Sequence, residues 1–337
     1  MTNLYISRFL PLILVLCTPL MLTTQSDKLY AVAVGQAFLM GLRMCDIAMQ
    51  PVATVASWSL LDFYEYILTF GTKESRSVKT NSSIDNSVPV KSRGWSYYRR
   101  VSVVLLLQYC IYNVSLYYLQ YVAEKKPETR AFTTMDYKCI LDQVMAALCV
   151  YSAYSIAYSI FFHSCAEAFQ IPYKPCMDNP FIALGLQEFW SSRWNHPVKE
   201  SLKNAAFIPI MLLLKKQTPG GDSPKFRPPS WHMAIASLSA FLLSALMHEW
   251  LVIALCDSPT RFEQFSFFML HGFLSMTEVL FRKYIKRSFG MDPFKAVPSL
   301  LINIMTWAIM VYTANLFTAP FLRDSTLFKA SFPLMFV

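Results

Sequence analysis

The sequence predicts an all-α protein, a polytopic membrane bundle of about eight transmembrane helices. Of the 337 residues, 55% are hydrophobic and only 15% are charged, whereas an average soluble domain carries roughly 25% charged residues. The hydrophobic residues are also gathered into long runs of about 20, the length that a helix needs to cross the hydrocarbon core of a bilayer. Together these two observations exclude an ordinary soluble domain and a disordered chain.

The clearest runs are long and apolar enough to be predicted as transmembrane helices. They are Leu4–Thr24, Leu29–Met49, Val101–Val122, Cys139–Phe162, Trp231–Cys256, Phe265–Phe281 and Val297–Phe317. A further run, Val52–Phe70, contains Asp62 and Glu65, so we expect it to be tilted or partly interfacial. The first run also resembles a signal peptide, but its length and its short link to the second run favour a retained helix.

The placement of basic residues indicates which loops face the cytoplasm. Residues 71–100 hold seven basic side chains against two acidic ones, so the positive-inside rule places this loop on the cytoplasmic side. Residues 165–230 and the basic cluster at 282–287 are expected on the same side. We therefore divide the chain into N-terminal transmembrane helices at 1–70, a cytoplasmic loop and a core at 101–337. The placement of the basic residues behind the net charge of +9 then points to cytoplasmic membrane faces and an anionic cosubstrate. We expect no nucleic acid as a partner.

Several polar groups inside the apolar runs are expected to be structural. The eight cysteines contain no C-x-x-C pair, which argues against a zinc site or a disulfide framework and favours buried thiols. Arg43 and Asp46 lie one turn apart, which predicts a mutually neutralised pair, with an ion pathway as the alternative. The sequence has no visible internal repeat, which argues against a transporter built from inverted repeats. His163 and Glu167 are also one turn apart, but two ligands do not make a metal site, and we expect no metal.

The stretch Asn179–Lys199 is neither apolar enough to span a membrane nor polar enough to be a plain loop. We predict a short amphipathic helix at 184–196, which places Trp190 and Trp194 one turn apart beside Arg193. Tryptophan and arginine together suit the lipid headgroup level. An interfacial helix without chemistry is therefore the alternative to a functional segment.

His248 and Glu249 form the second candidate site, inside the otherwise apolar run 231–256. An ionisable pair at membrane depth is costly, and it is a functional hypothesis when it faces the protein interior. Val252 excludes an H-E-x-x-H metalloprotease motif. A satisfied core histidine and a catalytic base both remain open from the residues alone. For His271, in the next run, core packing or substrate contact is favoured over chemistry.

Two segments carry a family resemblance. Leu186-Gln-Glu-Phe-Trp-Ser-Ser-Arg-Trp-Asn195 and, about 50 residues later, Ser244-Ala-Leu-Met-His-Glu249 follow each other in a multispan chain. They resemble the F-W-x-x-R-W-N signature and the S-G-L-M-H-E histidine motif of the wax synthase-like branch of the membrane-bound O-acyltransferases. The similarity covers roughly residues 175–285. In addition, Arg93-Gly-Trp-Ser-Tyr-Tyr-Arg99 is similar to an R-G-x-G-W segment of fungal relatives that acetylate terpenoids.

The resemblance implies transfer of an acyl group from acyl-CoA to a hydroxyl of a lipophilic alcohol, in a catalytic chamber enclosed by the helices. His248 would be the base, because an imidazole in an apolar span can take the proton of the attacking alcohol. The side-chain amide of Asn195 would donate a hydrogen bond to the oxyanion. Five residues are expected at the CoA site: Trp190, Arg193, Trp194, Lys199 and Lys203. Acyl-CoA is a cosubstrate, so no bound cofactor is implied.

Departures from the family pattern bear on the substrate. Ala245 stands where glycine is usual, which narrows the space beside the histidine and favours acetyl-CoA over a long acyl chain. Ser191 and Ser192 stand where Gly-Arg is common, which removes one basic residue near the CoA path. With the segment at Arg93, these features favour acetylation of a terpenoid- or sterol-like alcohol in secondary metabolism.

Other readings of the sequence stay open. Lys199 and Lys203 are also compatible with solvated lysines that extend toward the membrane surface. The main alternative to acetylation is wax-ester synthesis from long-chain substrates. A transporter of a hydrophobic or ionic solute and an inactive scaffold are further alternatives. In each case the protein is expected to be multi-pass, to contact membrane lipids and to reside in the endoplasmic reticulum.

Overall fold

A computed structural model describes part of the chain, and every secondary-structure element in that part is helical. The described residues are 37, 40–50, 52–59, 62–63, 66, 94–125, 137–168, 175–219, 223, 227–256 and 260–323. The predicted span Leu4–Thr24 and most of the basic loop at 71–100 lie outside them. The chain forms two compact units, residues 51–178 and residues 1–50 with 179–337.

The unit at 51–178 is built on two long helices. After a short α1 (Val52–Ala56), α2 runs over Trp95–Lys125 and α3 over Tyr137–Ala168, so the predicted helices at 101–122 and 139–162 are confirmed. The Tyr118 hydroxyl of α2 donates to Asp142 of α3 at 2.9 Å. Apolar side chains such as those of Leu106, Val114 and Tyr117 face outward. A lipid-facing surface requires such side chains, because it offers no water to polar groups.

The apolar run at 52–70 is not one continuous helix. Helix α1 ends at Ala56, and residues 57–59 are not helical. Ser59 and Asp62 then form a reciprocal cap, in which the Ser59 N–H donates to Asp62 Oδ2 at 2.9 Å and the Asp62 N–H donates to Ser59 Oγ at 3.1 Å. Such a capping box starts a new helix. Asp62 therefore marks a helix start and does not lie within a single tilted span.

The other unit contains a segment of short helices that includes Asn179–Lys199. Its elements are a 3₁₀ turn at Pro180–Ile182, α4 at Leu186–Glu188, a π turn at Phe189–Arg193, α5 at His196–Leu202, a π turn at Lys203–Phe207 and α6 at Ile208–Gln217. The short helix predicted at 184–196 is present but shorter, because it runs from Leu186 to Arg193 and Asn195 then adopts a left-handed backbone conformation. A new helix begins at His196.

Three long helices complete this unit, and a short one links the last two. They are α7 (Ser230–Leu255), α8 (Glu263–Phe289), α9 (Pro293–Ala296) and α10 (Ser299–Arg323). Helices α7 and α8 are antiparallel, since Lys283 near the end of α8 bonds to Ser230 and Glu249 near the end of α7 bonds to Phe265. They approach closely at Gly272, where a Cβ would lie 2.9 Å from Cγ of Phe241.

Four helices of the described residues are long and apolar enough to cross a membrane. They are Trp95–Val122, Ile140–Cys165, Ser230–Leu255 and Ser299–Leu322. Helix α8 has 27 residues but is less apolar, because it carries polar side chains such as Gln264, His271 and Glu278. The chain is therefore an integral membrane protein, while a span at 265–281 and a total of about eight spans stay predictions.

Candidate active site

His248 lies on α7 with its imidazole held in one tautomer. Its Nδ1 is 2.8 Å from the backbone carbonyl oxygen of Ser244, one turn earlier in the helix. A carbonyl oxygen can only accept a hydrogen bond, so Nδ1 carries the proton in the neutral ring. The lone pair of the imidazole consequently lies on Nε2, the nitrogen that can take a proton from a substrate.

The His248 ring is half-buried among aromatic side chains. Its centroid lies 4.1 Å from that of Phe268 on α8 and 6.3 Å from that of Phe317 on α10. Ala245, one turn before His248, is completely buried and packs with Phe267 and Phe268. The methyl group of Ala245 therefore supports the phenyl ring that covers the imidazole.

Glu249 does not act as an ion partner of His248 but binds the start of α8. Its Oε2 accepts the N–H of Phe265 at 3.0 Å, and its Oε1 accepts the hydroxyl of Thr260. The first N–H groups of a helix have no intrahelical partner, and the buried carboxylate satisfies one of them. Of the two residues predicted as one candidate site, Glu249 is thus a helix cap, and His248 alone stays a candidate for catalysis.

Asn195 links the π turn to α5 and has a defined orientation. It is the N-cap of α5, with φ 43° and ψ 62°, and its side-chain oxygen accepts the N–H of Val198 at 3.4 Å. Asparagine tolerates this left-handed conformation better than most residues. Val198 packs with Leu42 and Met247, the residue next to His248. Packing of α5 on α7 therefore brings the segments of Asn195 and His248 together.

The two tryptophans of the signature segment are packed inside the unit. Trp190 donates its indole N–H to Nδ1 of His271 at 3.1 Å, and its ring lies 5.7 Å from Phe268. Trp194 stacks on Phe189 at 5.2 Å with an interplanar angle of 19°. These contacts are made with protein groups, in contrast to the headgroup contacts of an interfacial helix.

His271 is a fully hydrogen-bonded core histidine. It is completely buried, and since the indole of Trp190 can only donate, Nδ1 of His271 is the acceptor. Its Nε2–H then donates to the hydroxyl of Thr313 at 2.8 Å, and that hydroxyl donates to the carbonyl of Ile309 at 2.8 Å. The prediction of core packing for His271 is confirmed, and the chain of hydrogen bonds joins the signature segment to α10.

The three basic residues predicted for CoA lie on or near the π turn and make different contacts. Arg193 forms an ion pair with Glu188 at 2.6 Å, and Glu188 also accepts the N–H of Leu184 at 2.8 Å. Lys199 donates to the backbone carbonyl of Ser191 at 2.9 Å. Lys203 is exposed. Arg193 and Lys199 therefore both stabilise the turn itself, whatever else they bind.

Glu278 holds the start of the segment that contains Asn195, a role that the sequence did not reveal. Its Oε2 accepts the N–H groups of Leu186 at 2.7 Å and Gln187 at 3.3 Å, which caps the start of α4. Gly185 makes this approach possible, because its φ is 117° and a Cβ there would collide with the carboxylate. The available signal was a lone acid in an apolar run, but its partners lie about 90 residues away in sequence.

A buried ion pair fixes the other side of α5. Arg43 and Asp46 are 2.8 Å apart and are 2% and 0% exposed, so the predicted mutually neutralised pair is confirmed. Arg43 also donates to the hydroxyl of Ser201 on α5 at 3.4 Å. The helical segment 40–49 is thus bound to the helix that Asn195 caps. Among the described residues, no three His, Cys, Asp or Glu side chains are grouped to hold a metal.

Comparisons with known proteins match the segment that contains these groups. Residues 173–270 match the model of the "Membrane bound O-acyl transferase family". A probable long-chain-alcohol O-fatty-acyltransferase of Arabidopsis thaliana is 30% identical over 158 residues, 47% of this chain and 42% of the relative. The long-chain-alcohol O-fatty-acyltransferase of Simmondsia chinensis is 32% identical over 111 residues, 33% of this chain and 29% of the relative.

A third relative is named for a different alcohol. An acyl-CoA–sterol O-acyltransferase of Arabidopsis thaliana is 25% identical over 158 residues, 47% of this chain and 41% of the relative. The aligned part of the chain spans less than half the length of each of these curated relatives. The match to the family model includes both Asn195 and His248.

Proposed function

We propose that this chain, which belongs to the membrane-bound O-acyltransferase family through residues 173–270, transfers an acyl group from acyl-CoA to the hydroxyl of a lipophilic alcohol. The observation that carries the proposal is the geometry of His248. Its Nδ1–H is held by the Ser244 carbonyl, so the imidazole presents Nε2 as the base within an aromatic environment. The names of the relatives support the same class of reaction.

His248 would move one proton twice. As the alcohol oxygen attacks the thioester carbon, Nε2 takes the hydroxyl proton, because an alcohol is a poor nucleophile until that proton is removed. The tetrahedral intermediate then collapses, the carbon–sulfur bond breaks and the CoA thiolate leaves. The imidazolium returns its proton to the thiolate, which gives the ester and CoA. The Ser244 carbonyl accepts Nδ1–H throughout and keeps the ring in one orientation.

Asn195 would stabilise the oxyanion that forms during attack. Since Oδ1 is bound to the Val198 N–H, the donor group Nδ2 lies on the other side of the amide. A donor that is already oriented acts on the transition state without reorganisation, and such a group is worth about 10² to 10³ in rate. The N-cap position on α5 supplies this orientation.

The remaining parts of the site are also proposals. About eight spans would enclose an apolar chamber, with the basic loops on the cytoplasmic side of the endoplasmic reticulum. Trp190 and Trp194 would line the CoA path, and Lys199 and Lys203 would attract the CoA phosphates. Arg193 would bind a phosphate while it also keeps its ion pair with Glu188.

For the substrate we propose acetyl-CoA and a terpenoid- or sterol-like alcohol in secondary metabolism. The supporting observation is the burial of Ala245 against Phe268, the ring that covers His248, because a packed site accepts added volume poorly. The second candidate is a long-chain wax-ester synthase, which the names of two relatives favour. A transporter is the rival from another class.

One experiment separates these candidates. Membranes that contain the full chain are incubated with labelled acetyl-CoA or palmitoyl-CoA and a panel of sterols, terpenoids and fatty alcohols. We expect CoA release and an acetyl ester of a polycyclic alcohol. Wax esters from palmitoyl-CoA and hexadecanol alone would overturn the substrate and leave the reaction class standing. Solute flux without ester formation, unaffected by His248→Ala, would establish the transporter.

A further inference from the structure

The end of α8 combines cations with exposed aromatic side chains. Four basic residues occur within six positions, Arg282, Lys283, Lys286 and Arg287. Exposed apolar and aromatic side chains surround them; Tyr284 and Phe289 are 65% exposed, Met291 is 55% exposed and Trp231 is 53% exposed. This surface is distant from the candidate base, since Lys286 lies about 27 Å along α8 from Phe268, the residue that covers His248.

Two of the four cations stabilise the fold. Arg282 donates to Asp292 at 3.1 Å and lies 4.2 Å above the ring of Phe294. The hydrogen bond from Arg282 and the N–H of Phe294 hold the pKa of the Asp292 carboxyl below its usual range, so this carboxylate is ionised and opposed by Arg282. Lys283 donates to the hydroxyl of Ser230 at 3.1 Å.

The other two cations, Lys286 and Arg287, are exposed. Neither forms an ion pair with an acidic side chain in the part of the chain that the structure describes. Lys286 lines an open cavity of about 420 Å³ together with Gly290, Met291, Asp292 and Ala296. Gly290 ends α8 with φ 69°, which turns the chain back and forms one wall of the cavity.

The position of this surface points to the membrane boundary. Ser230, to which Lys283 is bound, is the first residue of a candidate membrane span. Tryptophan and tyrosine are enriched at this level of a membrane, and cations here attract anionic headgroups by about 1 kcal/mol each. A phosphate at the cavity mouth would meet Lys286, with Arg287 next to it in sequence at the end of α8, and the Asp292 carboxylate in the lining is opposed by Arg282. Acyl chains would run along the exposed faces of Phe289 and Met291.

We propose that this surface, formed by Lys286, Arg287 and the cavity beside Gly290, binds the headgroup of an anionic phospholipid. The charge of the surface and its exposed aromatic residues favour a lipid over a soluble anion, which would not need apolar contacts. The proposal does not depend on the acyltransferase reaction, because its ligand is part of the bilayer and its test measures binding.

The test uses the full chain purified from membranes and reconstituted in nanodiscs of phosphatidylcholine with and without phosphatidylserine. Native mass spectrometry after release measures the ratio of phosphatidylserine to phosphatidylcholine that stays bound. We expect a preference for phosphatidylserine that falls about 25-fold in K286Q/R287Q, since each lost charge weakens binding about fivefold. The matched control is K215Q/K216Q, which removes the same charge at the end of α6 and should keep the preference.

Three outcomes would overturn the proposal. Wild-type protein could retain phosphatidylserine no better than phosphatidylcholine. The control variant could lose as much preference as K286Q/R287Q, which would mean that net charge alone matters. Excess free CoA could displace the bound phosphatidylserine, in which case the surface would belong to the cosubstrate.

Discussion

Two histidines on adjacent helices are held by different sets of hydrogen bonds. His271 accepts from Trp190 at Nδ1 and donates to Thr313 at Nε2, so other helices engage both nitrogens. His248 donates its Nδ1–H to Ser244 in its own helix, which places the lone pair on Nε2. Both rings touch the same aromatic cluster. The two rings therefore differ in their hydrogen bonds: the lone pair of His271 accepts from Trp190, whereas the lone pair of His248 lies on Nε2, where the proposed reaction requires a base.

The largest expected effect is that of His248→Ala. Loss of a general base lowers a rate by about 10² to 10⁴, so ester formation should fall by that factor while the amount of protein in the membrane is unchanged. Labelled-ester assays on equal amounts of protein measure this. The control is His163→Ala, which removes a histidine of the other unit and should leave turnover unchanged. Wild-type turnover by the folded His248→Ala variant would remove His248 from the mechanism.

The next largest effect is expected at Asn195. Asn195→Asp keeps an oxygen that accepts the Val198 N–H but has no amide donor, so kcat should fall about 10²- to 10³-fold with little change in the KM for acyl-CoA. Asn195→Ala removes both the cap and the donor and should also destabilise α5 by about 1 kcal/mol. If Asn195→Asp raised only the KM for acyl-CoA, Asn195 would be a binding residue.

A smaller effect on rate is expected for His271, which acts through Trp190. His271→Leu leaves the indole N–H of Trp190 without its acceptor, while the hydroxyl of Thr313 loses one donor and keeps its bond to Ile309. A buried donor without a partner costs about 1–3 kcal/mol. We expect kcat to fall about tenfold, because Trp190 also packs on Phe268 beside His248. His271→Gln should restore much of the rate, since its amide can accept from Trp190 and donate to Thr313.

A double-mutant cycle sharpens the assignment of His271. Trp190→Phe and His271→Leu should be strongly non-additive in kcat, because both remove the same hydrogen bond. A Gln variant as slow as the Leu variant, or additive effects, would show that His271 only fills space.

The smallest effect is expected for Ala245→Gly and concerns selectivity. Removing the methyl group that supports Phe268 should let that ring move, so the preference for acetyl-CoA over palmitoyl-CoA should shrink a few-fold. Ala236→Gly is the matched control, because Ala236 is an equally buried residue of the same helix and loses the same helix propensity, about 1 kcal/mol. An equal change in selectivity in both variants would assign the effect to a weakened helix.

The sequence predicted the long helices but did not predict the helix breaks and caps that connect them. Helices α2, α3, α7 and α10 follow directly from runs of apolar residues, since a long hydrophobic run in a membrane has few other solutions. The break at Asn195 left no such signal, because a single left-handed residue depends on how α5 packs and not on local periodicity. The role of Glu249 was equally hidden, since its partner lies on the next helix.

The candidate site was predictable only in part for a similar reason. Short motifs identified His248 and Asn195, whose roles stay predictions. A motif does not contain the contacts that fix its segment in the fold, such as the hydrogen bond from Leu186 of α4 to the carboxylate of Glu278. Such contacts join positions far apart in the chain, and no local pattern encodes them.

The bond between Glu278 and Leu186 has a consequence for biosynthesis. The two residues are 92 positions apart, so at about 5–20 residues per second a ribosome needs roughly 5–20 s to reach the carboxylate after it has made the turn that this carboxylate caps. During that interval α5 and α7 are synthesised, but the start of α4 lacks its cap. A nascent chain released before α8 is complete would therefore contain both His248 and Asn195 but not the carboxylate that caps α4.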